Sequence, residues 1–205
     1  LHRRRHSFPT RRSSDLNCYT GPEGFQTTHA TAEKVAEVLG VNAGDVLVCS
    51  TGLIGDQLDR EKLLAGTIAA AANLNSTNGA IASQAIMTTD SKPKTAEFLH
   101  TDGWSIGGMA KGAGMLAPGL ATMLVVITTD AVINSKALDQ ALRAATRVTF
   151  DRLDSDGCMS TNDQVTVMAS GASEVSPSQE DFTVALTQIC ISLATQLQQD
   201  AEGSS

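Results

Sequence analysis

The sequence predicts an α/β protein, because helical and strand-like patterns alternate along its 205 residues. The clearest strand is ATMLVVIT, residues 121–128, which is apolar on both faces and is typical of a central, buried strand. Residues 164–169 alternate as a second strand, and residues 180–199 follow as a long amphipathic helix. Strands and helices thus interleave along the chain, which is the basis of the α/β prediction.

The other elements follow from caps and short apolar runs. Three helices are predicted from N-terminal caps, and they cover residues 29–39 after Thr28, 60–73 after Asp59 and 136–150 after Ser135. Three further strands are predicted from short apolar or β-branched runs, and they cover residues 45–50, 85–87 and 104–109.

The charge is unevenly distributed. The chain has a net charge of −7, yet residues 1–16 hold five arginines and one acid. That segment carries +4, which leaves −11 for the other 189 residues. An acidic body argues against nucleic-acid or anionic-membrane partners. The basic segment is interpreted as foreign or disordered.

The four cysteines form no CxxC pair, and none has a histidine at metal-ligand spacing. They are typical of reduced thiols in a cytoplasmic protein without a metal site. No apolar run approaches the roughly 18 residues that a membrane helix needs.

The glycine-rich stretch after residue 106 does not fit a nucleotide-binding loop. A phosphate loop needs Gly-Lys-Ser/Thr, whereas Lys111 precedes Gly112 here. Gly112, Gly114 and Ala117 match GxGxxA, but Pro118 interrupts the helix that this fingerprint must open. No nucleotide cofactor is therefore expected.

Thr122 stands at the start of the buried strand, after a glycine-rich approach. A threonine hydroxyl is a weak nucleophile unless a base is adjacent. If the preceding bond is cut, Thr122 gains an α-amine whose pKa of about 7.7–8.0 suits a general base near neutrality. By residue type alone, however, a threonine in a strand is usually only a β-forming residue.

Five motifs occur in a fixed order. They are STGLIG at 50–55, AIMTTDSKPK at 85–94, GMAKGAGM at 108–115, ATML at 121–124 and STND at 160–163. Together they resemble the ornithine acetyltransferase family, also called ArgJ or bifunctional glutamate N-acetyltransferase. The resemblance covers residues 17–205 and stops part-way through the family's second subunit.

The resemblance implies an N-terminal-nucleophile, self-cleaving fold of the ArgJ/DmpA type, incomplete at both ends. Cleavage is implied between Ala121 and Thr122. Residues 17–121 are then the end of an α chain and residues 122–205 the start of a β chain. The two chains are expected to associate as α2β2.

The implied reaction moves an acetyl group from N2-acetyl-L-ornithine to L-glutamate through an acetyl-Thr122 intermediate. Some members of the family also accept acetyl-CoA, and no other cofactor is implied. Thr51 and Gly52 are implied as oxyanion-hole donors. Lys111 and Thr88 are implied as substrate-binding residues, with Thr89 an open alternative to Thr88.

Glu202 is implied as a further substrate-binding residue. Asn162 and Asp163 are expected to form a structural hydrogen-bonding pair in a loop. The approach to the nucleophile, residues 118–121, reads PGLA where the family usually has PNMA. Two alternatives stay open: a related self-cleaving aminopeptidase-like hydrolase, and a non-catalytic α/β fragment.

Overall fold

The computed structural model describes residues 19–113, 123–153 and 163–201, together with the backbone of residues 14–15. The chain forms two compact units that meet in sequence between Gly79 and Ala80. Both helices and strands are present, so the predicted α/β class is confirmed.

The first unit is mainly helical. Its elements are β1 (Ser14–Asp15), α1 (Gly21–Leu39), a 3₁₀ turn (Ala43–Asp45), β2 (Val48–Cys49) and α2 (Arg60–Ala72). The two short strands pair in parallel. Helix α2 begins as predicted, because the Asp59 carboxylate accepts a hydrogen bond from the Lys62 amide at 3.1 Å.

Helix α1 begins at Gly21, well before the start predicted at Thr28. Pro22 stands in the first turn, where a missing N–H costs nothing. The hydroxyls of Thr27, Thr28 and Thr31 each donate to the carbonyl four residues earlier. The prediction was wrong because these threonines are satisfied within the helix instead of capping it.

The second unit contains a four-stranded sheet. Its elements are α3 (Gly79–Ala85), β3 (Lys94–Leu99), β4 (Ser105–Lys111), β5 (Leu124–Thr129), α4 (Ser135–Val148), a 3₁₀ turn (Phe150–Arg152), β6 (Gln164–Ala169) and α5 (Gln179–Gln199). The strand order is β3-β4-β5-β6, with only β5 and β6 parallel. That parallel pair is joined through α4, as a crossover connection requires.

One face of this sheet carries the hydrophobic core. Alternate residues of β4 and β5, such as Ile106 and Ile127, lie beneath α5 together with the fully buried Trp104. Helix α4 packs beside α5 and contributes Leu138. Strand β5 is central, as its apolar pattern predicted.

Three local predictions differ from the structure. Residues 85–87 were expected to form a strand, but Ala85 ends helix α3. A short apolar run of this kind fits either state, and small residues allowed the helix. Strand β3 was not predicted at all, because its inward face begins with Lys94. Helix α4 is capped by Asn134 instead of Ser135, through its side-chain oxygen and the Ala137 amide at 2.9 Å.

Among the described residues, no helix combines the length and apolarity needed to cross a membrane.

Candidate active site

One end of the four-stranded sheet brings together two of the predicted site residues, Thr88 and Lys111. In the strand register Lys94 lies opposite Ala110, and Lys111 lies opposite Leu124. Leu124 in turn lies opposite Gln164, the first residue of β6. The start of β3, the end of β4 and the starts of β5 and β6 therefore meet at one edge.

Lys111 and Thr88 form a pair at this edge. The Lys111 Nζ donates to the Thr88 hydroxyl at 3.1 Å. Lys111 is only 2% exposed, whereas Thr88 faces solvent. Burial lowers the pKa of Lys111, while the nearby carboxylates of Asp90 and Asp163 oppose that shift. Thr88, rather than Thr89, is thus the threonine that Lys111 contacts.

Asp90 lies between this pair and the neighbouring strand end. Its carboxylate accepts hydrogen bonds from the Lys94 Nζ at 2.6 Å, the Gly112 amide at 2.6 Å and the Thr88 amide at 3.0 Å. Burial alone would raise its pKa, but these hydrogen bonds outweigh burial and hold the pKa below its usual range. Asp90 is therefore an ionised, fully bonded carboxylate.

Lys94 connects Asp90 to the end of helix α5. Its ammonium group contacts the carboxylates of both Asp90 and Asp200, and the Lys94 side chain is fully buried. The Ser91 amide and hydroxyl also donate to Asp200. Burial opposes ionisation of Asp200, but the contacts to Lys94 and Ser91 lower its pKa overall.

Asp163 fixes the chain directly after Thr122. Its carboxylate accepts a hydrogen bond from the Met123 amide at 2.9 Å. The Met123 carbonyl accepts a further bond from the Gln164 amide at 2.9 Å. This agrees with the structural role expected of Asp163; its expected partner, Asn162, lies outside the described residues.

Thr51 and Gly52 belong to the first unit. They follow β2 after one intervening residue and lie in an irregular segment, with Thr51 half-buried and Gly52 exposed. The segment follows a strand, as the prediction of a strand over residues 45–50 implies, although only Val48–Cys49 of that range forms one. Their role as oxyanion-hole donors stays a prediction.

Three of the predicted site residues, Ala121, Thr122 and Glu202, lie outside the described residues. The structure describes their neighbours Met123 and Ala201, which are both buried.

Within the described ranges, no group of three or more His, Cys, Asp or Glu side chains could hold a metal ion. The described side chains at the sheet edge supply ammonium, carboxylate and hydroxyl groups. Such groups recognise the carboxylate and ammonium ends of an amino acid.

The family model described as the ArgJ family matches residues 11–205. The chain belongs to the ArgJ family. The resemblance drawn from the five ordered motifs is thereby confirmed. The match begins inside the basic segment that was interpreted as foreign.

Several curated ArgJ relatives are highly similar. The chain is 63% identical over 193 residues to the arginine biosynthesis bifunctional protein ArgJ of Streptomyces avermitilis, covering 94% of this chain and 50% of that protein. It is 61% identical to the ArgJ protein of Streptomyces coelicolor over the same shares. The chain therefore spans about half the length of the curated relatives it matches.

Two solved ArgJ-type structures also match. One is the ornithine acetyltransferase of Mycobacterium tuberculosis complexed with ornithine, at 49% identity and a TM-score of 0.47, covering 51% of this chain and 56% of that one. The other is ArgJ of Bacillus halodurans, at 26% identity and a TM-score of 0.43, covering 51% and 55%.

The sequence predicts no role for Asp90, Lys94 or Asp200, although Asp90 and Lys94 belong to one of the five motifs. One signal was available: an aspartate and a lysine four residues apart, flanking Pro93 at a predicted loop. The link to Asp200 had no such signal, since 106 residues separate it from Lys94.

Proposed function

We propose that the protein containing this chain transfers an acetyl group from N2-acetyl-L-ornithine to L-glutamate, through an acetyl ester on Thr122. The observation that carries the proposal is the sheet edge where the buried Lys111 cation, its Thr88 partner and the residue following Thr122 converge. Family membership and the names of the relatives, which specify arginine biosynthesis, support the same chemistry.

The first step is self-cleavage. The Thr122 hydroxyl attacks the Ala121 carbonyl, and the peptide C–N bond breaks as an ester forms. Water then hydrolyses that ester, which releases Ala121 as a carboxylate and leaves Thr122 with a free α-amine. The bonds to the Met123 amide and carbonyl support this step, because they hold the residue next to the nucleophile in a fixed strand.

Acetyl transfer then proceeds in two half-reactions, the first of which acetylates Thr122 and the second of which passes the acetyl group to glutamate. The α-amine accepts the Thr122 hydroxyl proton as the oxygen attacks the acetyl carbonyl, and the C–N bond to ornithine breaks as its amine takes the proton. The glutamate amine attacks the resulting ester and regenerates the hydroxyl. Thr51 and Gly52 supply oxyanion donors in this proposal.

Substrate recognition is assigned to ammonium and carboxylate groups. Lys111 binds a substrate carboxylate as a compact, buried cation, and Thr88 offers a hydroxyl beside it. Glu202 binds the amino-acid ammonium group. The use of acetyl-CoA, the α2β2 assembly and a cytoplasmic location belong to the same proposal.

The proposal is tested on the complete protein that contains this chain. Mass spectrometry and N-terminal sequencing should find two chains, the second beginning at Thr122. Thr122→Ala should give one uncut chain and no transfer. Thr128→Ala, which removes an exposed threonine of β5, should be cut and active like the parent.

Assays of N-acetylornithine with and without glutamate then separate transfer from hydrolysis. Acetylglutamate formation that requires glutamate supports the proposal. Release of acetate to water at the same rate in both assays points instead to the aminopeptidase-like hydrolase. An intact wild-type chain without activity would overturn the proposal altogether.

A further inference from the structure

The Asp90 carboxylate joins two segments that each carry a proposed substrate-binding residue. Its side chain is fully buried. One oxygen accepts the Gly112 amide at 2.6 Å, and the other accepts the Thr88 amide at 3.0 Å. Gly112 directly follows Lys111, so a single carboxylate holds the backbone on both sides of the Thr88–Lys111 contact. We call this arrangement the Asp90 bridge.

The bridge has a geometric consequence. Residues 86–93 form a connection without helix or strand, so no ladder of backbone hydrogen bonds fixes Thr88. Lys111, in contrast, ends strand β4. The Asp90 bridge ties the irregular segment to the strand, and it thereby sets the distance at which the Thr88 hydroxyl meets the Lys111 ammonium.

The sheet register shows why Lys94 is needed as well. Lys94 pairs with Ala110 and points to the helix face, whereas Lys111 is one residue further and points to the opposite face. Asp90 lies at the sheet edge, in contact with Lys94 and with the Gly112 amide. Lys94 neutralises the buried carboxylate without occupying the substrate side of the sheet.

We propose that Asp90 is a positioning residue for substrate binding, which fixes Thr88 and Lys111 relative to each other through their backbone. The inference rests on the proposed function for its kinetic consequence. Its structural consequence, the dependence of Lys111 on Asp90, stands apart from any activity.

Charge supports the same role. Among the described residues, the charged groups that act on Lys111 are Asp90, Asp163 and Lys94. Desolvation and Lys94 favour loss of the Lys111 proton, while the two carboxylates favour its retention. Removing the Asp90 charge must therefore lower the pKa of Lys111 further and reduce its charged fraction at alkaline pH.

The chain offers a matched control at the other end of β4. Asp130 accepts the Ser105 amide at 2.6 Å and the Ser105 hydroxyl at 2.8 Å. Like Asp90, Asp130 is a carboxylate that binds a backbone amide at one end of β4. Ser105 and Lys111 are six residues apart on the strand, about 20 Å, which exceeds the screening length of about 8 Å at physiological salt.

The kinetic test compares Asp90→Asn with Asp130→Asn in the complete protein. Asp90→Asn should lower kcat/KM for N-acetylornithine by about 10-fold to 100-fold, a loss typical of misplaced binding groups. Most of the loss should lie in KM, and KM should begin to rise at a lower pH than in the parent. Asp130→Asn should leave KM and its pH profile unchanged even where it lowers the melting temperature.

The structural test needs no activity. In this chain, NMR titration of the lysine ε-methylene signals should give a lower pKa for Lys111 in Asp90→Asn and an unchanged value in Asp130→Asn. If Asp90→Asn fails to fold, the same dependence can be measured by titrating the wild-type chain with acid. Its Thr88 and Gly112 amide shifts and its Lys111 signal should then move together as Asp90 is protonated in acid.

The outcomes are separable. An unchanged Lys111 titration in Asp90→Asn, or equal effects of the two variants on KM, would overturn the positioning role. If the wild-type protein shows no acetyl transfer, the proposed function fails, yet the NMR titration still decides the role of Asp90.

Discussion

Two adjacent glycines on β4 give a sharp test of the core packing. Gly108 and Gly107 lie on opposite faces of the strand. A Cβ atom on Gly108 would stand 3.0 Å from a methyl carbon of Leu193 and 3.3 Å from one of Ile189. A Cβ on Gly107 would meet only the Thr128 hydroxyl, at 3.9 Å. Alanine is therefore expected to have opposite effects at the two positions.

The expected loss of unfolding free energy in Gly108→Ala is large because the neighbours of Gly108 have little room to move. Leu193 and Ile189 are 0% and 2% exposed, so they cannot give way into solvent. Overpacking of a well-packed core costs about 1–3 kcal/mol, and replacing glycine recovers about 0.4–1 kcal/mol from the unfolded chain. Gly108→Ala should lose about 1–2 kcal/mol of unfolding free energy, and Gly107→Ala should gain a few tenths.

Trp104 provides the assay. It is the chain's single tryptophan, and it is fully buried in the same core. Urea unfolding followed by its fluorescence should give a lower midpoint for Gly108→Ala, equivalent to a melting temperature lower by about 2–8 °C. If Gly108→Ala were as stable as the parent, or if both variants lost the same unfolding free energy, the close packing of α5 against Gly108 would be refuted.

Two further predictions concern titration and thiol reactivity. The pKa values of Asp90 and Asp200 are lowered, so the stability they contribute is present above about pH 4 and is lost as the pH falls through their lowered values. Asp200→Asn should therefore be less stable than the parent at pH 7, with the two denaturation curves converging in acid; parallel curves would contradict this. Burial raises the pKa of Cys190 to about 12, so iodoacetamide at pH 8 should label it only as urea unfolds the chain, as peptide mass mapping can check. Labelling of Cys190 in the native chain would refute its burial.

The sequence predicted best where the pattern and the environment are both local. Strand β6 matches its predicted bounds, and helix α2 begins where Asp59 caps it. Strand β5 was recognised as central because apolar residues on both faces exclude a solvent-facing edge. In each case the signal lies within a few residues of the element itself.

The missed strand β3 depends in part on a partner distant in the chain. Strand β3 begins with an inward lysine, which is compatible with burial only because Asp90 and Asp200 neutralise it. The site shows the same limit. Lys111 and Thr88 came from the family resemblance, but the carboxylate that holds them together is visible only once the segments are folded.

The strand order has a consequence for the cut that we propose before Thr122. Strand β4 precedes that bond and β5 follows it, yet the two strands pair along six residues in the middle of one sheet. The Lys94–Asp200 ion pair also joins the two sides. The cleaved pieces would thus share one hydrophobic interior, like an obligate heterodimer whose interface is a core divided between two polypeptides. Neither piece could leave without exposing that interior, so the proposed cleavage would free a reactive amine while the second unit stays assembled.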